Sequence, residues 1–134
     1  PYPYTIKDAD YFIKCTMKKA YQQDYAIIID NRAVGGIGFV PNVDIERLNA
    51  EIGYWLGESY WGNGIMSEAL NDVVDVVFSA TPIIRLYTSV LEYNTASMRV
   101  LEKAGFRHVG NLKQAAIKNG KIVDMEYYER VKIK

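Results

Sequence analysis

Between positions 66 and 78 the apolar residues Met66, Ala69, Leu70, Val73, Val74, Val77 and Phe78 fall at i, i+3, i+4, i+7, i+8, i+11 and i+12. That spacing is one face of an amphipathic helix. Such a helix must lay its apolar face on another apolar surface, and the flanking segments say which. Residues 50–56 are rich in β-branched and aromatic side chains and read as a strand. Thr81 and Pro82 end the helix. Residues 83–91 then alternate, with Ile84, Leu86, Thr88 and Val90 on one face. A second helix is expected over residues 94–104, closed by Gly105 at the C′ position. Strands over 106–112 and 122–131 follow, joined by a turn at 118–121. Strand–helix–strand–helix–strand implies an α/β (α+β) domain, a mixed sheet with helices packed on its faces.

The first half adds strands. Residues 26–29, Ala26 to Ile29, form a buried strand candidate, residues 30–32 a turn, and residues 34–40 a returning strand. Glycines at 35, 36 and 38 in that strand imply a bulge or a close backbone approach. Residues 41–47 read as a loop. Pro1 and Pro3 keep their neighbours extended, and Thr5 followed by Asp8 has the spacing of a helix N-cap with an acidic first turn. A helix is expected over residues 6–19, with Ala9, Phe12, Ile13 and Met17 on its apolar side. No repeat or linker divides the chain, so residues 1–134 read as one domain.

Composition removes several function classes. Lys plus Arg and Asp plus Glu are each 16, for a net charge of zero. A nucleic-acid partner is not expected, since those proteins carry a basic excess or stripe. Cys15 is the only cysteine and His108 the only histidine, so neither a disulfide nor a Cys/His metal site is expected. No apolar run approaches the roughly 20 residues of a membrane span. These features are the usage expected of a cytoplasmic chain.

Trp61-Gly62-Asn63-Gly64 lies between the strand at 50–56 and the long helix. Two glycines flanking one residue let backbone N–H groups converge. The helix start adds unpaired N–H groups and a positive dipole end. Together they make an anion cradle suited to phosphate or pyrophosphate. The same turn also reads as a tight connection in which glycine serves only its dihedral angles. No Gly-Lys-Ser/Thr follows, so it is not a nucleotide P-loop. No third glycine stands at dinucleotide-fold spacing.

Three separated segments carry a family resemblance: residues 50–56, residues 60–69, and residues 94–106. In order and spacing they resemble the GNAT superfamily of N-acetyltransferases. Within it they resemble the branch holding the Rim-type ribosomal-protein N-terminal acetyltransferases and the spermidine acetyltransferases. The resemblance covers the chain from about residue 5 onward. It implies a mixed, mostly antiparallel central sheet with helices on both faces and splayed central strands. It implies acetyl-CoA as cofactor. The family's pyrophosphate signature, Gln/Arg-x-x-Gly-x-Gly/Ala, reads here Trp61, Gly62, Asn63, Gly64, Ile65, Met66, departing at its first and last positions. Because its contacts are mostly backbone N–H, the resemblance still implies pyrophosphate binding at Trp61, Gly62, Asn63, Gly64, Ile65, Met66 and Ser67. It places the pantetheine arm along the backbone of Tyr54, Trp55 and Leu56, where an N–H could stabilise an oxyanion. Asn94 would hydrogen-bond the pantetheine, and Lys103 would lie near the adenosine.

The implied chemistry is attack of a neutral amine on a thioester in a ternary complex. The amine must lose a proton and the thiolate must gain one. Glu51, at the start of the strand lining the site, is the candidate base; it also reads as an exposed strand-end carboxylate. Related enzymes often carry an acid tyrosine seven residues after the motif asparagine, where this chain has Leu101. Ser97, the substitute in Rim-type relatives, is the candidate acid and also reads as a capping hydroxyl; water is the alternative proton source for the thiolate. Among the tyrosines most read as core or pocket wall. Tyr127 and Tyr128 face opposite sides of one strand, so at most one reaches a shared pocket.

GNAT domains usually begin with a strand and a helix ahead of the region matching Pro1, so the chain is expected to lack them. The exposed sheet edge is then a pairing liability that a homodimer could cover. The expected partners are acetyl-CoA and a primary amine, either a protein N-terminal α-amine or a small amine. The alternative is a non-catalytic acyl-CoA sensor with the same fold.

Overall fold

The computed structural model describes residues 23–133. Over them the chain builds a six-stranded sheet and two helices. The strands are β1 (Asp24–Ile29), β2 (Arg32–Pro41), β3 (Asn49–Leu56), β4 (Arg85–Leu91), β5 (Arg107–Lys118) and β6 (Lys121–Val131). The helices are α1 (Ile65–Ala80) and α2 (Thr95–Lys103), with short 3-10 turns at Asp44–Glu46 and Glu58–Tyr60. The expected helix over 6–19, its Thr5 cap and Cys15 lie outside the described residues.

Two hairpins close on two-residue loops whose residues all have positive φ: Asp30 (51°) with Asn31 (61°), and Asn119 (51°) with Gly120 (76°). That is the backbone whose twist matches right-handed strands. The sheet order is β1-β2-β3-β4-β6-β5, and every neighbour pair is antiparallel except β3 with β4. A parallel pair needs a crossover, and α1 supplies it. The glycines of β2 answer to both expectations: the register with β1 shifts between Ile27 and Ile28, beside Gly35, and the backbone is closely approached. A Cβ on Gly35 would stand 2.6 Å from the Trp55 carbonyl oxygen, and one on Gly38 would stand 2.6 Å from Asp24 Oδ1.

Both helices of the described residues lie on one face of the sheet. Ala50, Ile52, Leu86, Thr88 and Val90 point to that face, where α1 buries Met66, Leu70, Val73, Val74, Val77 and Phe78. This is the face read from the 66–78 periodicity. Three side chains of the sheet reach the helices across it. Tyr54 reaches Ser97, Tyr128 donates to Glu102 at 3.4 Å, and Arg130 donates to Asn71 at 2.7 Å and to the Ala104 carbonyl at 2.7 Å. No helix among the described residues is long and apolar enough to cross a membrane.

Some boundaries differ from the sequence pattern. The strand expected to end at 112 runs to Lys118, with register breaks between His108 and Gly110 and between Leu112 and Ala116. Asp124 bridges the second break: its carboxylate accepts from the Gln114 N–H at 2.9 Å and from Lys113 at 3.3 Å. Gln114 itself sits at φ 53°. The strand expected from 83 begins at Arg85, although Ile84 already bonds both neighbours, its N–H to Leu48 O and its C=O to Lys132 N.

On the other face Arg85 donates to Glu129 at 2.9 Å, and Arg107 pairs with the second carboxylate oxygen. The Arg85 guanidinium, chiefly, holds the Glu129 carboxyl below its ordinary value of 4.5. A carboxyl depressed by folding stabilises the fold above its ordinary value, and that contribution disappears as pH falls through the lowered one. Glu129→Gln should therefore be less stable at neutral pH and show a shallower loss of stability on acidification, measured by urea unfolding from pH 7 to pH 3. Leu70 is fully buried at the centre of α1, and Leu70→Ala should cost about 3 kcal/mol in the same experiment at neutral pH.

Candidate active site

The site begins with an unfinished ladder. β3 and β4 share only three register pairs, Asn49 with Arg85, Ala50 with Leu86 and Glu51 with Tyr87, although the strands run to Leu56 and Leu91. Beyond Glu51 they part, which is the splay the resemblance implies. The direction of the free backbone groups follows from alternation along a strand. Gly57 N donates to Val34 O and Asn42 N to Asn49 O, both at 2.8 Å. Odd-numbered residues of β3 thus turn their N–H and C=O toward β2. Even-numbered residues face β4, as Leu48 O does in accepting from Ile84 N at 2.8 Å. Tyr54 therefore presents its backbone N–H and C=O to the gap and Leu56 its N–H, the Leu56 carbonyl being taken by the Trp61 indole, while Trp55 turns its own toward β2. An extended, amide-bearing ligand arm could add there as a strand does.

The glycine turn closes one end of this gap. Gly62 and Gly64 have φ of 79° and 74°, and a Cβ at either would meet no atom within 4 Å. Glycine is thus present for its backbone angles, under open space. Gly64 is the N-cap of α1 with no side-chain cap, and the first helical bond runs from Glu68 N to Gly64 O at 3.1 Å. The N–H groups of Ile65, Met66 and Ser67 precede that bond and have no intrahelical partner. The two signature departures have structural roles. Trp61 folds its indole back, Nε1 donating to the Leu56 carbonyl at 2.7 Å. Met66 is a core residue. Asn63 Nδ2 donates to Trp61 O at 3.3 Å, and Ser67 Oγ to Val100 O at 3.5 Å.

α2 starts directly after β4, and Asn94 is its N-cap: Oδ1 accepts from Ser97 N at 3.1 Å. Leu101 is fully buried. Ser97 Oγ lies 2.6 Å from Tyr54 Oη, joining α2 to β3 over the gap. Burial raises the Tyr54 phenol above its ordinary value, and the Ser97 hydrogen bond pulls the other way. No motif links positions 54 and 97, so sequence reading gave Tyr54 only a backbone role.

Glu51 is exposed on the opposite face of the sheet. Beside it Tyr87 stacks on Tyr127, ring centroids 5.6 Å apart and 12° from parallel. Arg85 lies 5.2 Å over the Tyr87 ring, and Tyr87 Oη donates to Asn42 Oδ1 at 2.8 Å. Burial raises the Tyr127 phenol; Arg85 opposes this, while Tyr87 and Glu51 add to it. Tyr128 is buried under α2 instead, as strand alternation requires. The two expected catalytic residues, Glu51 and Ser97, thus stand on opposite faces of the sheet beside the same gap. Lys103 is apart from them. It is exposed at the far end of α2 and lines a hollow of about 460 Å³ with Asn71, Gly105, Arg107 and Arg130.

Comparison with known proteins bears on the same segments. The family model for the acetyltransferase (GNAT) domain matches residues 1–107. The chain is 39% identical over 99 residues to the uncharacterized N-acetyltransferase YoaA of Bacillus subtilis (strain 168), covering 74% of this chain and 55% of that one. It is 34% identical over 116 residues to the ribosomal-protein-serine acetyltransferase of Escherichia coli (strain K12), covering 85% and 63%. Among solved structures it superposes on RimL, the ribosomal L7/L12 α-N-protein acetyltransferase in complex with coenzyme A. That match has a TM-score of 0.86 at 28% identity and covers 98% of this chain and 75% of that one. The chain thus spans a little over half the length of these curated relatives. The family match takes in the split strands, the glycine turn and the Asn94-capped helix alike, and the chain belongs to the GNAT family of acetyltransferases.

Proposed function

We propose that this chain acts in the transfer of an acetyl group from acetyl-CoA to a primary amine, with a protein N-terminal α-amine as the favoured acceptor. The observation that carries the reading is the three-pair β3–β4 ladder opening onto a glycine turn at the head of α1. The residues present fit the cofactor. Tyr54 offers a backbone donor and acceptor and Leu56 a backbone donor to the pantetheine amides, and open space lies above Gly62 and Gly64 for a pyrophosphate. Residues 61–67 would hold that pyrophosphate by backbone N–H. Asn94 would contact the pantetheine through the part of its amide not used in capping, and Lys103 would serve the adenosine end.

Acetyl-CoA would supply the activated thioester carbonyl. Glu51 takes the proton of the attacking amine from the face bearing Tyr87 and Tyr127, and Ser97 serves the departing sulfur from the helix face. Separation of base and acid by the thickness of the sheet suits a reaction in which nucleophile and leaving group sit on different sides of one carbon. The preference for an α-amine rests on the ribosomal-protein acetyltransferase among the relatives.

The deciding experiment measures thiol release from acetyl-CoA over a panel of N-terminal peptides, polyamines and aminoglycosides. Turnover with peptides is expected. Tight cofactor binding without turnover of any amine would instead favour a sensor. Millimolar acetyl-CoA should raise the melting temperature. Gly64→Val should abolish that rise, because a side chain at φ 74° is strained and fills the cradle. Glu51→Gln should lower kcat/KM about 100-fold. An unchanged kcat/KM would reassign the base.

A further inference from the structure

The hydroxyl pair over the gap leads beyond the assignment of Ser97. We propose that Tyr54 is a positioning residue for acetyl transfer, donating its hydroxyl proton to Ser97 Oγ so that the Ser97 proton is aimed at, and replaced after leaving for, the departing sulfur. This rests on the acetyl-transfer reading and specifies how its acid works.

The short contact admits either hydroxyl as donor, and acidity assigns the role. Tyr54 Oη has two oxygens of Ser97 near it, Oγ at 2.6 Å and the carbonyl at 3.4 Å. The shorter contact is a full hydrogen bond and the longer one lies beyond normal range for a hydroxyl donor. A phenol is the more acidic of the two hydroxyls and therefore the better donor. Burial keeps Tyr54 protonated across the neutral range. With Tyr54 donating, the single proton of Ser97 is free to point elsewhere. Ser97 N is already committed to Asn94 Oδ1, which pins the first turn of α2 and with it the position of the hydroxyl. Leu101 contributes no hydroxyl, so Tyr54 brings the phenol from β3 instead.

A serine hydroxyl alone is too weak an acid to give its proton to a thiolate at neutral pH. Paired with a phenol it need not carry the resulting charge. As the amine nitrogen bonds to the carbonyl carbon, the C–S bond breaks and its electron pair goes to sulfur. The Ser97 proton moves to sulfur and the Tyr54 proton moves to Ser97 Oγ. The proton lost by the amine to Glu51 returns through solvent to Tyr54. The sum is one amide, one thiol and an unchanged protein.

The test compares the wild-type chain with Tyr54→Phe, Ser97→Ala, Ser97→Thr and the double variant Y54F/S97A, using acetyl-CoA and the most active amine of the panel. Tyr54→Phe should lower kcat 10- to 100-fold with the KM for acetyl-CoA changed less than threefold. The acetyl-CoA-induced rise in melting temperature should persist, showing an intact fold and cofactor site. The double variant should be no slower than the slower single variant, since members of one unit are not additive. Ser97→Thr, which keeps the hydroxyl, should restore most of the rate lost in Ser97→Ala. Without ligand, the melting temperatures of the two single variants and the double should likewise be non-additive, reporting the bond itself. A Tyr54→Phe rate within twofold of wild type, or losses that multiply in the double variant, overturns the relay alone. A wild-type chain that acetylates no amine overturns the acetyl-transfer reading and the relay with it.

Discussion

One parallel pair in an otherwise antiparallel sheet governs this molecule. Parallel neighbours cannot be joined by a tight turn, so the chain must leave β3, cross the sheet and return to β4. α1 makes that crossing in 16 residues and is held to the sheet by fully buried Leu70, Val74 and Val77. The crossover begins where β3 ends, so the head of α1 and its glycine turn lie at the mouth of the strand pair. Because that pair is laddered over only three positions, the turn opens onto unpaired backbone rather than onto a closed sheet. Site and fold share this one origin.

The two faces of the sheet divide the chemistry. The helix face is apolar apart from a few tethers, of which the Tyr54–Ser97 contact stands at the gap. The other face carries Glu51, the Tyr87–Tyr127 stack and the Arg85–Glu129–Arg107 group, knit to Asn49 and Asn42. Alternation along β3 sends Glu51 to one side and Tyr54 to the other, and the split lets both attend the same point. In the proposed reaction this separation gives the amine and the sulfur different surroundings, one anionic and aromatic, the other a neutral hydroxyl pair.

Much of this was legible in one dimension. The α1 face follows from periodicity because burial on one side of a helix imposes it. Gly105, at φ 83°, and the Asn119-Gly120 loop were readable because positive φ favours so few residue types. The glycines of β2 announced a close approach for the same kind of reason, absence of a Cβ where another chain segment passes. The departures at Trp61 and Met66 were legible as departures but not in their roles, since one caps a strand-end carbonyl and the other fills core. The extension of β5 was hidden, because a side chain from β6, Asp124, holds the irregular stretch.

What the sequence by itself determined was each element whose signal is local: α1, the capped α2, the hairpin turns and the three family segments. The tertiary structure alone decided where the β3–β4 ladder stops, which backbone groups it leaves open, and that Tyr54 meets Ser97 across 43 positions. Local patterns report how a residue relates to its own turn or strand. A strand split and a hydroxyl contact depend on how separate elements are stacked, and no spacing along the chain encodes that.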